Sequence, residues 1–161
     1  ILHRMSPHQY LSRDAVCYNK TMKLNEKQML DFAKRLGKKL QAGDIIVLTG
    51  ELGAGKTTFT KGLGLGLDIH QMIKSPTYTI VREYEGRLPL YHMDVYRIGD
   101  DPDSIDLDDY LFGNGVTVIE WGNLLAQDLP SEYLEIVFDY LDDEREVTLV
   151  AHGHRYDTYL D

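Results

Sequence analysis

Eight residues constrain this chain more than all the others: Gly50-Glu51-Leu52-Gly53-Ala54-Gly55-Lys56-Thr57 fits the pattern G-x-x-x-x-G-K-[ST]. Gly50, Gly53 and Gly55 let a backbone wrap with its N–H groups pointing inward, and Ala54 is the next smallest residue. Such a loop works between a buried strand and a helix, because the helix start offers unpaired N–H groups and a favourable dipole to an anion. Both flanks are present. Ile45-Ile46-Val47-Leu48 is a short β-branched run, the signature of a strand covered on both faces, and Thr58 to Leu67 reads as the following helix. Lys56 brings a mobile positive charge for the β- and γ-phosphates, and Thr57 brings a hydroxyl for magnesium. A chance match in a glycine-containing turn would lack this setting.

The rest of the chain organises around that unit. Asn25 with Gln28 three residues on makes a capping box, and Met29, Phe32, Ala33, Leu36 and Leu40 then share one helical face until Gly43. Thr79 to Tyr84 and Leu88 to Val95 flank a possible turn at Glu85-Gly86-Arg87 and predict a hairpin. The acidic stretch up to Leu111 suits a short helix. Val116 to Ile119 predicts a core strand ending in Glu120. Leu134 to Phe138 and Val147 to Ala151 predict two more, joined through Asp142-Asp143-Glu144-Arg145, and a short helix is expected from about Tyr156. The expected fold is α/β: a three-layer sandwich of the P-loop NTPase kind with a mixed, partly antiparallel central sheet. Ile1 to Thr21 shows no periodicity. It is expected to be an extension or an added tail, with the P-loop domain running from residue 22 to residue 161.

Composition narrows the function. At 161 residues, 43% apolar and 27% charged, the chain has the size and balance of one ordinary globular domain. It has no apolar run near the ~20 residues that span a bilayer and no secretory pattern at its start. Its single cysteine, Cys17, cannot form an internal disulfide, which fits a cytoplasmic protein. Asp and Glu outnumber Lys and Arg 26 to 17, so contact with RNA is expected through a partner or a small local patch.

Two acidic positions complete the expected chemistry. In a phosphate-loop protein a second acid stands at the end of a neighbouring core strand. Glu120 is placed to do so, either on the metal directly or through water. In His92-Met93-Asp94-Val95-Tyr96-Arg97, strand alternation puts His92, Asp94 and Tyr96 on one face. Asp94 then either orients an attacking water, fixed by His92 and Tyr96, or belongs to a self-satisfied polar face. Ser75-Pro76-Thr77 reads either as a switch loop sensing the γ-phosphate or as a plain turn, and Trp121 as packing.

Four separated segments, Gly50 to Thr58, Lys74 to Thr79, His92 to Arg97 and Ile119-Glu120-Trp121, together resemble the bacterial TsaE (YjeE) family, from about Met22 to about Tyr159. The resemblance implies ATP binding with slow, magnesium-dependent hydrolysis to ADP. It also implies action with TsaB and TsaD in making threonylcarbamoyladenosine in tRNA, with tRNA reached only through that complex and no membrane involved. Carried over by motif, Thr57 and Glu120 hold magnesium, and Lys56, Asp94 and Glu120 are catalytic. Asn25, Gly53, Ala54, Gly55, Lys56, Thr57, Thr58, Asp94 and Arg145 contact the nucleotide. Arg145 has a competing reading as a solvated partner of Asp142 or Asp143. Glu51 stands where the family often has Asp. Two other functions fit the same motif: a small-molecule kinase, and a nucleotide switch that does not hydrolyse.

Overall fold

The computed structural model describes residues 2–4, 17–50, 55–74, 81–94, 108–111, 113–120 and 129–160. The sequence alternates strands and helices in the order β1 (Leu2–Arg4), β2 (Cys17–Leu24), α1 (Glu26–Lys39), β3 (Ile45–Gly50), α2 (Lys56–Gly66), β4 (Val81–Tyr84), β5 (Leu90–Asp94), α3 (Asp108–Leu111), β6 (Val116–Glu120), β7 (Tyr133–Leu141) and β8 (Glu144–His152). A 3₁₀ segment, His154–Leu160, follows. The strands form one sheet in the order β1-β2-β8-β7-β3-β6-β5-β4. β3 lies parallel to β6 and β7, and β5 parallel to β6, while the β1/β2, β2/β8, β7/β8 and β4/β5 pairs are antiparallel. The mixed sheet expected from the hairpins is therefore present.

β3 is covered on both faces, as its unbroken apolar run predicts. Ile46 and Leu48 enter the large core with α1 and α2, and Ile45 and Val47 enter a smaller one with Met93, Leu111 and Ile119. Helices thus lie on both sides of the sheet, α1 and α2 on one and α3 on the other. Among the described residues no helix is long and apolar enough to cross a membrane.

The two long helices touch backbone to backbone. A Cβ on Gly66 would stand 2.3 Å from the Lys34 carbonyl oxygen, and one on Gly62 would stand 2.5 Å from Ala33 Cβ. Glycine is therefore a packing requirement in α2 rather than a flexible joint. The last segment is also held down: Arg155 Nε donates to Asp44 Oδ1 at 3.0 Å, and the Tyr156 hydroxyl accepts from the Ile45 N–H at 2.8 Å.

Two readings need correction. Cys17 to Thr21, taken as aperiodic, is the first half of β2 and pairs residue for residue with His152 to Thr148. A strand held in order by its neighbours need not alternate in its own sequence. The expected boundary between residues 21 and 22 falls inside that strand. The β7–β8 turn is also tighter than expected, because Leu141 pairs with Glu144 and only Asp142 and Asp143 stand between them. Arg145 is a strand residue.

Candidate functional site

β3 delivers the chain to Gly50, and α2 starts at Lys56 with Gly55 as its N-cap. Gly55 has φ +107°, a conformation that demands glycine, and a Cβ there would meet the flexible end of Met29, Sδ at 2.9 Å. Residues 51–54 lie outside the described residues, and with them the expected ligands Gly53 and Ala54. The same holds for Ser75-Pro76-Thr77, Tyr96, Arg97 and Trp121.

Lys56 is 5% exposed, and its Nζ donates to the Gly50 carbonyl at 2.8 Å, so the ammonium reaches back to the mouth of the loop. Burial pulls its pKa below the ordinary lysine value, and the charges of Glu120 and Asp94 partly oppose that shift. A desolvated cation with acids on one side gains most from an anion arriving on the other. Thr57 and Thr58 occupy the first turn of α2, both half-buried.

Asp94 and Glu120 come from adjacent parallel strands and stand directly opposite each other in register. Leu90 and Val118, two residues before His92 and Glu120, belong to the core beneath α1 and α2. Strand alternation therefore aims His92, Asp94 and Glu120 toward the start of α2. Tertiary structure brings Lys56, Asp94 and Glu120 together as expected.

His92 behaves differently from its expected role. It is wholly buried, and its Nε2 lies 3.0 Å from Glu120 Oε1. It therefore orients Glu120, not Asp94. The reason is register: His92 faces Val118, which makes Glu120 its diagonal neighbour on the same face. With Nε2 protonated the imidazole donates to the carboxylate; Nδ1 has no hydrogen-bond partner among the described residues.

A second group forms on the other side of Gly55. A cavity of about 250 Å³ is lined by Glu26, Met29, Gly55, Thr58, Asp143 and Arg145. The capping box that starts α1 sits beside it: Asn25 Oδ1 accepts from the Gln28 N–H at 2.8 Å, and Gln28 Oε1 accepts from the Asn25 N–H at 2.9 Å. That leaves the Asn25 amide nitrogen as its donor toward a ligand. Arg145 rests 4.3 Å above the ring of Tyr140, its cross-strand partner. Among the described residues neither Asp142 nor Asp143 forms an ion pair with it. Glu26, Met29 and Asp143 were not legible as site residues; Met29 reads in sequence only as helix core, and its sulfur happens to abut Gly55.

Among the described residues no cluster of three or more His, Cys, Asp or Glu side chains forms a metal cage. A phosphate-loop magnesium site does not require one, since the phosphates and water supply most ligands of such an ion. Here a hydroxyl (Thr57) and two strand-end carboxylates are the oxygen donors such an ion prefers. Glu120 Oε1 is engaged by His92, which leaves the other carboxylate oxygen as the one a metal would meet.

Comparison with known proteins agrees with this geometry. The family model for "Threonylcarbamoyl adenosine biosynthesis protein TsaE" matches residues 24–147. The tRNA threonylcarbamoyladenosine biosynthesis protein TsaE of Bacillus subtilis (strain 168) is 48% identical over 136 residues, 83% of this chain and 86% of that protein. The protein of the same name from Treponema pallidum (strain Nichols) is 47% identical over 117 residues, 71% of this chain and 87% of its own length. The crystal structure of Bacillus subtilis YdiB superposes with a TM-score of 0.77 at 41% identity, covering 92% of this chain and 94% of that one. A family match across most of the domain, joined to a solved relative of the same architecture, identifies the chain as a member of the TsaE family.

Proposed function

We propose that this protein binds ATP with magnesium, hydrolyses it slowly, and in doing so supports threonylcarbamoyladenosine formation in tRNA together with TsaB and TsaD in the cytoplasm. The observation that carries the reading is Lys56. Its buried ammonium sits at the head of α2, held by the Gly50 carbonyl and facing Glu120 and Asp94. The α2 N-terminus and Lys56 receive the β- and γ-phosphates. The cavity that ends at Arg145 takes the nucleoside side, with Asn25 next in the chain to Glu26 of its lining. Magnesium, when bound, neutralises phosphate charge and lowers the barrier to attack on the γ-phosphorus; Thr57 and Glu120 are the residues to hold it. Asp94, less buried than Glu120, orients the attacking water and accepts its proton.

A kinase reading has little support. Transfer to a second substrate calls for cations gathered around the phosphoryl group, yet Arg87 is spent on the Gly37 and Leu40 carbonyls and Arg145 lies over Tyr140. The decisive assay measures phosphate release by the purified protein alone and after adding TsaB and TsaD. Turnover should be low alone, rise with both subunits and vanish in Asp94→Asn. Turnover indifferent to the subunits would remove the partner claim; turnover indifferent to Asp94 would favour the non-hydrolysing switch.

A further inference from the structure

A larger cavity, of about 530 Å³, lies between the C-terminal half of α1, β2 and the 3₁₀ segment. Its lining carries Lys20, Arg35, Lys38 and Lys39 and contains no Asp or Glu. This runs against a chain in which acids outnumber Lys and Arg 26 to 17. Phe32, half-buried, supplies ring surface in the same lining, and Tyr159, buried, closes the groove behind it. On α1, Phe32, Arg35 and Lys39 share a face by their spacing, and Lys20 comes to the same groove from β2.

The ordinary explanation for lysines at a helix end is the helix dipole. Here Arg87 already donates to the terminal carbonyls of Gly37 and Leu40, at 3.0 and 2.9 Å. The Lys38 and Lys39 side chains are not needed as caps. Nor do they serve as ion-pair partners: among the described residues no carboxylate lies within ion-pair distance of any of the four cations. Four uncompensated positive charges beside ring surface, in a cavity of ligand size, lack a negatively charged occupant.

We propose that this groove binds the ribose-phosphate backbone of RNA, the tRNA carried in the names of the relatives, so that tRNA is touched directly as well as through protein partners. The proposal rests on family membership and not on ATP hydrolysis. Phosphates pair with the cations, and a base or ribose packs on Phe32. An acidic peptide would use the cations but leave the ring surface without a matching partner. Only a few phosphates can engage, and the formal net charge of −9 repels the rest of a polyanion. Binding is therefore weak and strongly salt-dependent. The groove is separate from the nucleotide cavity, though α1 borders both: Glu26 and Met29 line one, Phe32 to Lys39 the other.

The test is fluorescence anisotropy with a labelled, unmodified tRNA transcript, titrated at several salt concentrations. Arg35→Glu with Lys39→Glu is compared with Lys23→Glu plus Lys61→Glu, two exposed lysines outside the groove. Both pairs change the net charge equally. The groove pair should weaken binding ~10-fold or more and lower the slope of log affinity against log salt by ~1.5–2, while the control pair has a much smaller effect. Titration of each variant with a fluorescent ATP analogue shows that the fold and the nucleotide site are intact, and its failure would bear on the ATPase reading alone. Equal loss in both pairs, or no tRNA binding by the unmutated protein at low salt, overturns the proposal. Unchanged tRNA binding with lost capture of TsaB and TsaD overturns it too, and gives the groove to a protein partner.

Discussion

At the scale of single residues, Lys56 shows how burial sets up binding. Its pKa is depressed by desolvation in the free protein, and a bound triphosphate favours the charged form and raises it again. Binding therefore takes up a proton once the pH exceeds the free-protein value, which lies below 10.5. ATP affinity should be flat below that value and fall as the pH rises through it. Lys56→Ala should cost ~10–100-fold in affinity, the worth of a charge-assisted hydrogen bond, and abolish the alkaline fall. A fluorescent ATP analogue titrated from pH 7 to 10 reads both. His92 makes a different kind of contribution, because it acts through Glu120. His92→Ala should lower kcat ~10–100-fold, as loss of a partner that orients a ligand usually does, with little change in ATP affinity. His92→Gln, which keeps a donor, should fall between. A loss of affinity equal to the loss of kcat would mean that His92 shapes the pocket and does not position the acid. Neither the His92–Glu120 bond nor the approach of Met29 to Gly55 was legible in the sequence, since each depends on the register between elements far apart in the chain.

At the scale of elements, α1 was the most legible part of the molecule. The capping box at Asn25 and the apolar face from Met29 to Leu40 are both present. What periodicity left open was how α1 meets α2. The glycines of α2 look like poor helix formers, yet Gly62 and Gly66 let the two backbones pack in contact. Gly66→Ala should gain helix propensity and still destabilise the protein by ~1–3 kcal/mol, because the added methyl meets backbone atoms that cannot move aside. Urea unfolding monitored by circular dichroism gives the sign. A stabilised variant would mean that the helices can separate at little cost. β2 illustrates the reverse case, a strand whose order comes from its partner β8 and which therefore left no alternation in Cys17 to Thr21.

At the scale of the whole molecule, the 3₁₀ segment pins the end of the chain to the α1–β3 connection. Burial pushes the Tyr156 hydroxyl up to about 12 and raises Tyr159 as well, with the Asp44 carboxylate adding to the second. Each folded-state pKa lies above the unfolded value of 10.0, so their contribution is fully present below pH 10 and is lost as pH rises through 10 toward 12. Thermal stability should fall over that window. Tyr156→Phe should show a shallower fall but a lower starting stability, ~1–3 kcal/mol, because the Ile45 N–H loses its acceptor. Melting temperatures at intervals above pH 9 would check both. By itself the sequence determined the phosphate loop, its strand and helix, the sheet's mixed character and the two acids, because local spacing and the requirements of a polyphosphate leave few alternatives. Only the tertiary structure decided that His92 serves Glu120, that Arg145 stands on a strand beside a cavity, and that Lys20 joins three cations of α1 across a groove. Those facts depend on register and on contacts between distant segments, which no stretch of local sequence encodes.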